Sequence, residues 1–242
     1  MEAKKIYLDY AATTPVDPEV VEAMIQCLGP DGDYANSSSS HFFGKSAKVH
    51  IDTARGQIAA RIGAEVDSIC FTSGATESDN MALIGTMNAN QHRGRHLITS
   101  TLEHKAVLDT AYALKDQGFE ITFVDHDEHG VISTQQLATA IRNDTVLVSI
   151  MQVNNETGVL QDLAALGELC QEKGVLFHVD AAQSVGKVPL NVADFSVDLV
   201  SLTAHKAYGP MGIGALYIRK GMKIAPLALS LALMLNGLTL LG

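Results

Sequence analysis

Two hydrophobic periodicities alternate along the chain, and this constrains the fold more than any other feature. Short β-branched or aromatic runs occur at 68–72, 96–100, 120–124, 145–151, 175–180, 198–203 and 214–218. Between them, apolar residues recur at three- and four-residue intervals over 18–28, 44–62, 75–90, 105–117, 134–141 and 163–173. Strands separated by helices of this length need crossover connections. The pattern therefore predicts an α/β fold, a mostly parallel sheet with helices on both faces. Ser133, Thr134, Gln135 and Gln136 read as a capping box opening one of those helices. No tandem repeat or linker interrupts residues 1–220, and one large domain is expected in a chain of 242 residues.

Composition narrows the function. Seventeen basic side chains against 27 acidic ones give a formal charge of −10, with no clustered basic stripe. This argues against nucleic-acid binding as a primary role and favours small-molecule chemistry. The cysteines, Cys27, Cys70 and Cys170, are far apart, and the nine histidines are scattered, so no metal centre is expected. The start of the chain lacks the apolar stretch of a secretory signal, which points to a reducing cytoplasm. The other end is unusual: residues 224–242 carry no charge and are rich in leucine, a run long enough to span a bilayer. Pro226, Asn236 and Gly237 interrupt it. A membrane anchor is not expected; the segment 221–242 is read as an apolar tail, either packed on the domain or foreign to it.

The residues that carry chemistry fall at strand ends. The run His178-Val179-Asp180-Ala181-Ala182-Gln183 ends one strand in a carboxylate, and Ser201-Leu202-Thr203-Ala204-His205-Lys206 ends another in a hydroxyl, an imidazole and an amine. Ligands of open α/β sheets bind at this edge. A lysine beside an aspartate on a neighbouring strand is the pairing that pyridoxal 5'-phosphate requires, the amine for its aldehyde and the carboxylate for its ring nitrogen. The alternative for two such residues alone is a surface salt bridge. Phe71-Thr72-Ser73-Gly74-Ala75-Thr76-Glu77-Ser78 reads as a strand entering a helix through a small, hydroxyl-rich turn, where Ala75 and Thr76 would offer donors to a phosphate. Its plainer reading is an ordinary N-cap at Ser73. His104, between a strand and a helix, could stack on an aromatic cofactor and shuttle protons, or simply be solvated. Asn154 and Asn155 offer amides to a ring oxygen, or form a polar turn. The glycines from Gly209 to Gly214 precede a strand, not a helix, which excludes a dinucleotide loop.

Taken together, Tyr7-Leu8-Asp9-Tyr10-Ala11-Ala12-Thr13-Thr14-Pro15, the stretch from Phe71 to Asn80, Glu103-His104-Lys105-Ala106-Val107-Leu108, Asn154-Asn155-Glu156-Thr157-Gly158, the stretch from His178 to Gln183, and His205-Lys206 with Tyr208-Gly209-Pro210 resemble the cysteine desulfurases of iron-sulfur cluster assembly. The resemblance spans roughly residues 5–220. It implies the large domain of a fold-type-I pyridoxal-phosphate transferase, preceded by an N-terminal arm at 1–17 and usually homodimeric. Such an enzyme converts L-cysteine to L-alanine and passes the sulfur on as a protein persulfide to acceptors such as an iron-sulfur scaffold protein. Position by position, it implies Lys206 as the lysine that binds the cofactor aldehyde and Asp180 as the partner of the ring nitrogen. Gln183 and Asn155 fall near the ring hydroxyl, His104 stacks on the ring, and Ala75, Thr76, Thr203 and His205 hold the phosphate. Lys206, His104 and Asp180 are thus the expected catalytic residues.

The chain also departs from that family. The family's acceptor cysteine and small C-terminal domain lie beyond the last residue here, and Cys27, Cys70 and Cys170 all read as core, with no cationic setting for a reactive thiol. Thr203-Ala204 stands where the family has Ser-Gly, and Ala35-Asn36-Ser37 where it has Gly-Asn-Pro. The expectation is a C-terminally truncated cysteine desulfurase impaired in sulfur transfer. Its alternatives are a non-catalytic remnant that binds the cofactor or a partner subunit, and a related selenocysteine lyase or class-V aminotransferase.

Overall fold

A computed structural model describes residues 5–227. In chain order the elements are α1 (Pro18–Gln26), α2 (Phe42–Ile62), β1 (Ile69–Thr72), α3 (Ala75–Ala89), β2 (His96–Ser100), α4 (Lys105–Asp116), β3 (Glu120–Val124), α5 (Thr134–Ala140), β4 (Thr145–Ser149), α6 (Leu163–Lys173), β5 (Leu176–Asp180), β6 (Leu199–Thr203) and β7 (Gly214–Ile218). Every expected strand and helix forms. The expected first residue of β1, Ser68, instead closes a short 3-10 turn over Val66–Ser68.

Local chemistry explains the boundaries. Asp17 caps α1 by accepting from Glu19 N, with Pro18 in the first turn where its missing N–H costs nothing. His41 Nδ1 caps α2, so that helix begins at Phe42, before the expected Gly44. The capping box of α5 is complete, the Ser133 hydroxyl accepting from Gln136 N and the Gln136 side chain accepting from Ser133 N.

The seven strands form one sheet in the order β1-β7-β6-β5-β4-β2-β3. Neighbours from β3 through β6 run parallel, and β7 runs antiparallel to both β6 and β1. The reversal at β7 follows from its connection, because the loop after Thr203 is too short to carry a crossover helix. Strand alternation then sorts the core into two layers. Leu97, Leu147, Leu199 and Leu216 pack against Met81, Ala82 and Leu83 of α3 and Val107, Ala111 and Leu114 of α4. Ile98, Val148, Phe177, Val179 and Val200 face the opposite way, onto Ala59 and Ile62 of α2, Leu137 of α5, and Leu163, Leu166 and Cys170 of α6. On β5 this alternation places His178 and Asp180 on the α3 side.

Two expectations need correction. Cys27 is not core: it is half-buried, and α1 buries none of its residues, leaving Val21, Met24 and Ile25 exposed. Amphipathic spacing says that a helix has an apolar face, not that another element covers it. Cys70 and Cys170 are buried as expected. The N-cap expected at Ser73 is also absent, as described below. At the other end, Met222 and Ile224 join the α3–α4 layer, and Ala225 N donates to the Gly85 carbonyl at 2.8 Å. Most of the leucine-rich stretch lies outside the described residues. Among those described, no helix is long and apolar enough to cross a membrane, and no cluster of metal-binding side chains occurs.

Candidate active site

The carboxyl ends of the parallel strands converge on an open cavity of about 650 Å³. Each wall residue is delivered by the element before it: Asp180 ends β5, Thr203 ends β6 with His205 and Lys206 in the turn beyond, His104 follows β2, and Asn155 follows β4. Ala75 and Thr76 enter from the start of α3. Eight of the nine expected site residues therefore line one space. Gln183 does not; its amide nitrogen donates to the Ala11 carbonyl at 2.7 Å, and its oxygen accepts from Lys187 Nζ at 3.1 Å.

The start of α3 is built to accept an anion. Its N-cap is Gly74, not Ser73, and no side chain caps the helix. Ser73 also lines the cavity, its backbone N–H donating to Glu77 Oε2 at 2.6 Å. The helix thus presents first-turn amides and the positive end of its dipole to the cavity. Two further features sit at this turn. The Thr203 hydroxyl is buried with no hydrogen-bond partner. A Cβ on Gly214 would lie 2.7 Å from Gly74 Cα and 2.5 Å from the Leu202 carbonyl oxygen, so strand β7 approaches the turn as closely as backbone permits.

The Lys206 turn is held from a distance. Thr14 N and the Thr14 hydroxyl both donate to the His205 carbonyl, at 2.8 and 3.0 Å, and the Thr13 hydroxyl donates to it at 3.2 Å. The Thr14 hydroxyl oxygen in turn accepts from Tyr208 N at 2.8 Å, where the backbone takes a positive φ of 60°. The N-terminal arm therefore fixes the turn that carries the amine.

Below the cavity the sheet is polar. Asp180 Oδ1 accepts from Ala182 N at 2.8 Å. Burial pushes its carboxyl up, and that hydrogen bond with the charge of Lys206 pulls it back. Glu103 Oε1 accepts from Met151 N at 2.8 Å, which ties the segment carrying His104 to the end of β4; burial holds its carboxyl well above the usual range. His178 is sealed in, its ring nitrogens 2.8 Å from the Ser149 hydroxyl and 2.9 Å from that of Ser201. Desolvation lowers its pKa to about 3, so the imidazole is neutral. Asp79 also lies in the wall, with burial pushing its carboxyl strongly up. Asp79, Glu103, Thr13 and Thr14 escaped the sequence reading as site residues. Only Asp79 left a signal, an acidic residue on the inward stripe of α3 that it shares with Ala82, Leu83 and Thr86.

His104 is the N-cap of α4, with Nδ1 accepting from Ala106 N at 3.1 Å. An accepting Nδ1 carries no proton, so the neutral ring holds its proton on Nε2. The cap gives a prediction. His104→Ala should lower stability by about 1 kcal/mol, and His104→Asn should recover most of it, since asparagine is a strong cap. Thermal denaturation of the three proteins measures this; equal loss in both variants would show that the cap contributes nothing.

Comparison with known proteins places this arrangement. The class-V aminotransferase family matches residues 6–231. Cysteine desulfurase IscS of Proteus mirabilis is 58% identical over 220 residues, 90% of this chain and 54% of that one. IscS of Vibrio cholerae is 56% identical over the same shares. Among solved structures, SspA in complex with cysteine superposes with a TM-score of 0.89 at 42% identity, covering 93% of this chain and 65% of that one. A NifS-like protein superposes at 0.90 with 40% identity, over 93% and 62%. The chain spans about half the length of the curated relatives it matches. It belongs to the class-V aminotransferase family, a pyridoxal-phosphate-dependent family with the fold-type-I sheet, and its relatives there are cysteine desulfurases.

Proposed function

We propose that this chain forms the cofactor-holding part of a cysteine desulfurase, which takes L-cysteine and hands its sulfur to a thiol outside the described residues. The observation that carries this reading is the convergence of Lys206, Asp180 and His104 on one cavity that opens onto the uncapped start of α3. The residues suit pyridoxal phosphate. An unpartnered buried hydroxyl at Thr203 and the free helix end would meet the phosphate, with Ala75, Thr76 and His205 beside them. Asp180 would face the ring nitrogen and His104 the ring. Asn155 would be the amide for the ring hydroxyl, since it lines the cavity and Gln183 does not; its Nδ2 donates to Glu156 Oε1 at 2.7 Å.

Bound there, the cofactor supplies an aldehyde that condenses with amines and a ring that withdraws the electron pair left at a deprotonated carbon. The chain's own groups do the rest. Asp180 would keep a proton on the ring nitrogen. Lys206 Nζ, as a free amine, accepts the proton from the substrate Cα. His104 lines the cavity with its ring orientation set by the cap. The reaction balances without an external oxidant: the Cβ–Sγ bond of cysteine breaks, an S–S bond forms on the acceptor thiol, and the thiol's hydrogen ends on alanine.

Among the described residues no cysteine lines the cavity. Burial pushes the thiols of Cys70 and Cys170 up, the latter to about 12, and Cys27 is the C-cap of α1, outside the cavity lining. The acceptor thiol therefore comes from elsewhere, and the chain alone is expected to turn over slowly. A homodimer and an iron-sulfur scaffold protein as final acceptor belong to this reading. The test is to incubate the protein with pyridoxal phosphate, L-cysteine and a small-molecule thiol. Alanine and sulfide in equal amounts are expected; an oxo acid, or no product from cysteine but alanine from selenocysteine, would overturn it.

A further inference from the structure

In the cavity wall lies a buried carboxyl group that the mechanism above does not use. Asp79 projects from α3 with its side chain only 1% exposed, and neither oxygen has a hydrogen-bond partner. One oxygen sits 3.6 Å from His178 Nε2. That imidazole is no cation for it to pair with, since both ring nitrogens rest on serine hydroxyls in a fully buried site. His178 and Asp180 lie two residues apart on the same face of β5, so Asp79, His178 and Asp180 form one buried group.

The charged and polar groups around Asp79 settle its ionisation. From β5 it meets Asp180 and His178, from β6 the Ser201 hydroxyl, from the segment after β2 Glu103, and from the turn after β6 Lys206. Two of these are carboxyls and one is a cation. Asp180 has a backbone N–H donor that Asp79 lacks. Two carboxylates so close do not both ionise in a dry site, and the charge goes to the one with more donors.

We propose that Asp79 is a positioning residue for the cofactor ring: an uncharged carboxyl that, packed on His178, leaves the negative charge on Asp180 and keeps water from beneath it. This deepens the function proposed above and rests on it for the role of Asp180. The uncharged state itself does not depend on any cofactor.

Two measurements test it. The first uses the protein without cofactor. A carboxyl raised in the fold above its ordinary value of 3.8 holds a proton that the unfolded chain releases. Stability is therefore lost as pH climbs from about 4 toward the folded-state value. Asp79→Asn removes that loss, so the variant's melting temperature should gain on the wild type as pH rises above about 4. A gap that stays constant or reverses would overturn the uncharged state. The second is affinity for pyridoxal phosphate. Asp79→Ala opens space under Asp180 and should weaken binding about tenfold, while Asp79→Asn restores it. Equal weakening in both would mean that charge is required, and no weakening in either would mean that Asp79 does not position Asp180; each result would overturn the proposal. A wild-type chain that binds no pyridoxal phosphate would instead refute the function proposed above, and the melting experiment would still decide the charge of Asp79.

Discussion

Lys206→Ala protein mixed with pyridoxal phosphate should stay free of the visible absorption band that appears when a protein amine condenses with the cofactor aldehyde, while the unchanged chain develops it. Loss should be complete, because Lys206 is the lysine in the cavity wall. A nearby competitor is Lys187, which feels the charge of Lys206. Its Nζ donates to Gln183 Oε1, and it is not part of the wall. The phosphate contacts proposed at α3 would not involve Lys206, so the variant should still bind the cofactor, more weakly and without the band. A band of normal intensity in Lys206→Ala would end the reading of this residue as the aldehyde's partner.

Gly214→Ala should harm both stability and the anion site. The added methyl would meet backbone on two sides, the Leu202 carbonyl and Gly74 Cα, and backbone cannot rotate away as a side chain does. Overpacking of this kind costs about 1–3 kcal/mol, a fall of several degrees in melting temperature for a domain of this size. Relief would come by displacing Gly74, the residue that leaves α3 uncapped, so affinity for pyridoxal phosphate should fall as well. Gly56→Ala is the control. Gly56 lies inside α2 with nothing near its missing Cβ, and the change should be neutral or stabilising. Calorimetry and cofactor titration on both variants check this; a Gly214→Ala protein as stable as the control would show that β7 and the α3 turn are not in contact.

Periodicity was sufficient to find every strand and helix, because alternation and 3.6-residue spacing are local properties of residues that must bury one face. It could not say whether a face is covered, which is why Cys27 and α1 read as core and are not. At the site, residues that end parallel strands were legible, since the sheet itself carries them to a common edge. Gln183 shared the same motif as Asp180, yet its direction is set by Ala11, 172 residues away.

From its own residues the chain determines an α/β sheet with an amine and a carboxylate at neighbouring strand ends, because those features depend on spacing of at most a few turns. Tertiary structure alone decided the rest. Thr13 and Thr14 clasp the His205 carbonyl across more than 190 residues. Gly74 leaves α3 open with no capping side chain, and β7 approaches it closely enough that position 214 has no room for a Cβ. Asp79 becomes a dry, unpartnered acid only once α3 lies over β5. In each case the deciding quantity is desolvation or contact between segments remote in sequence, and such quantities do not exist until the sheet has closed around them.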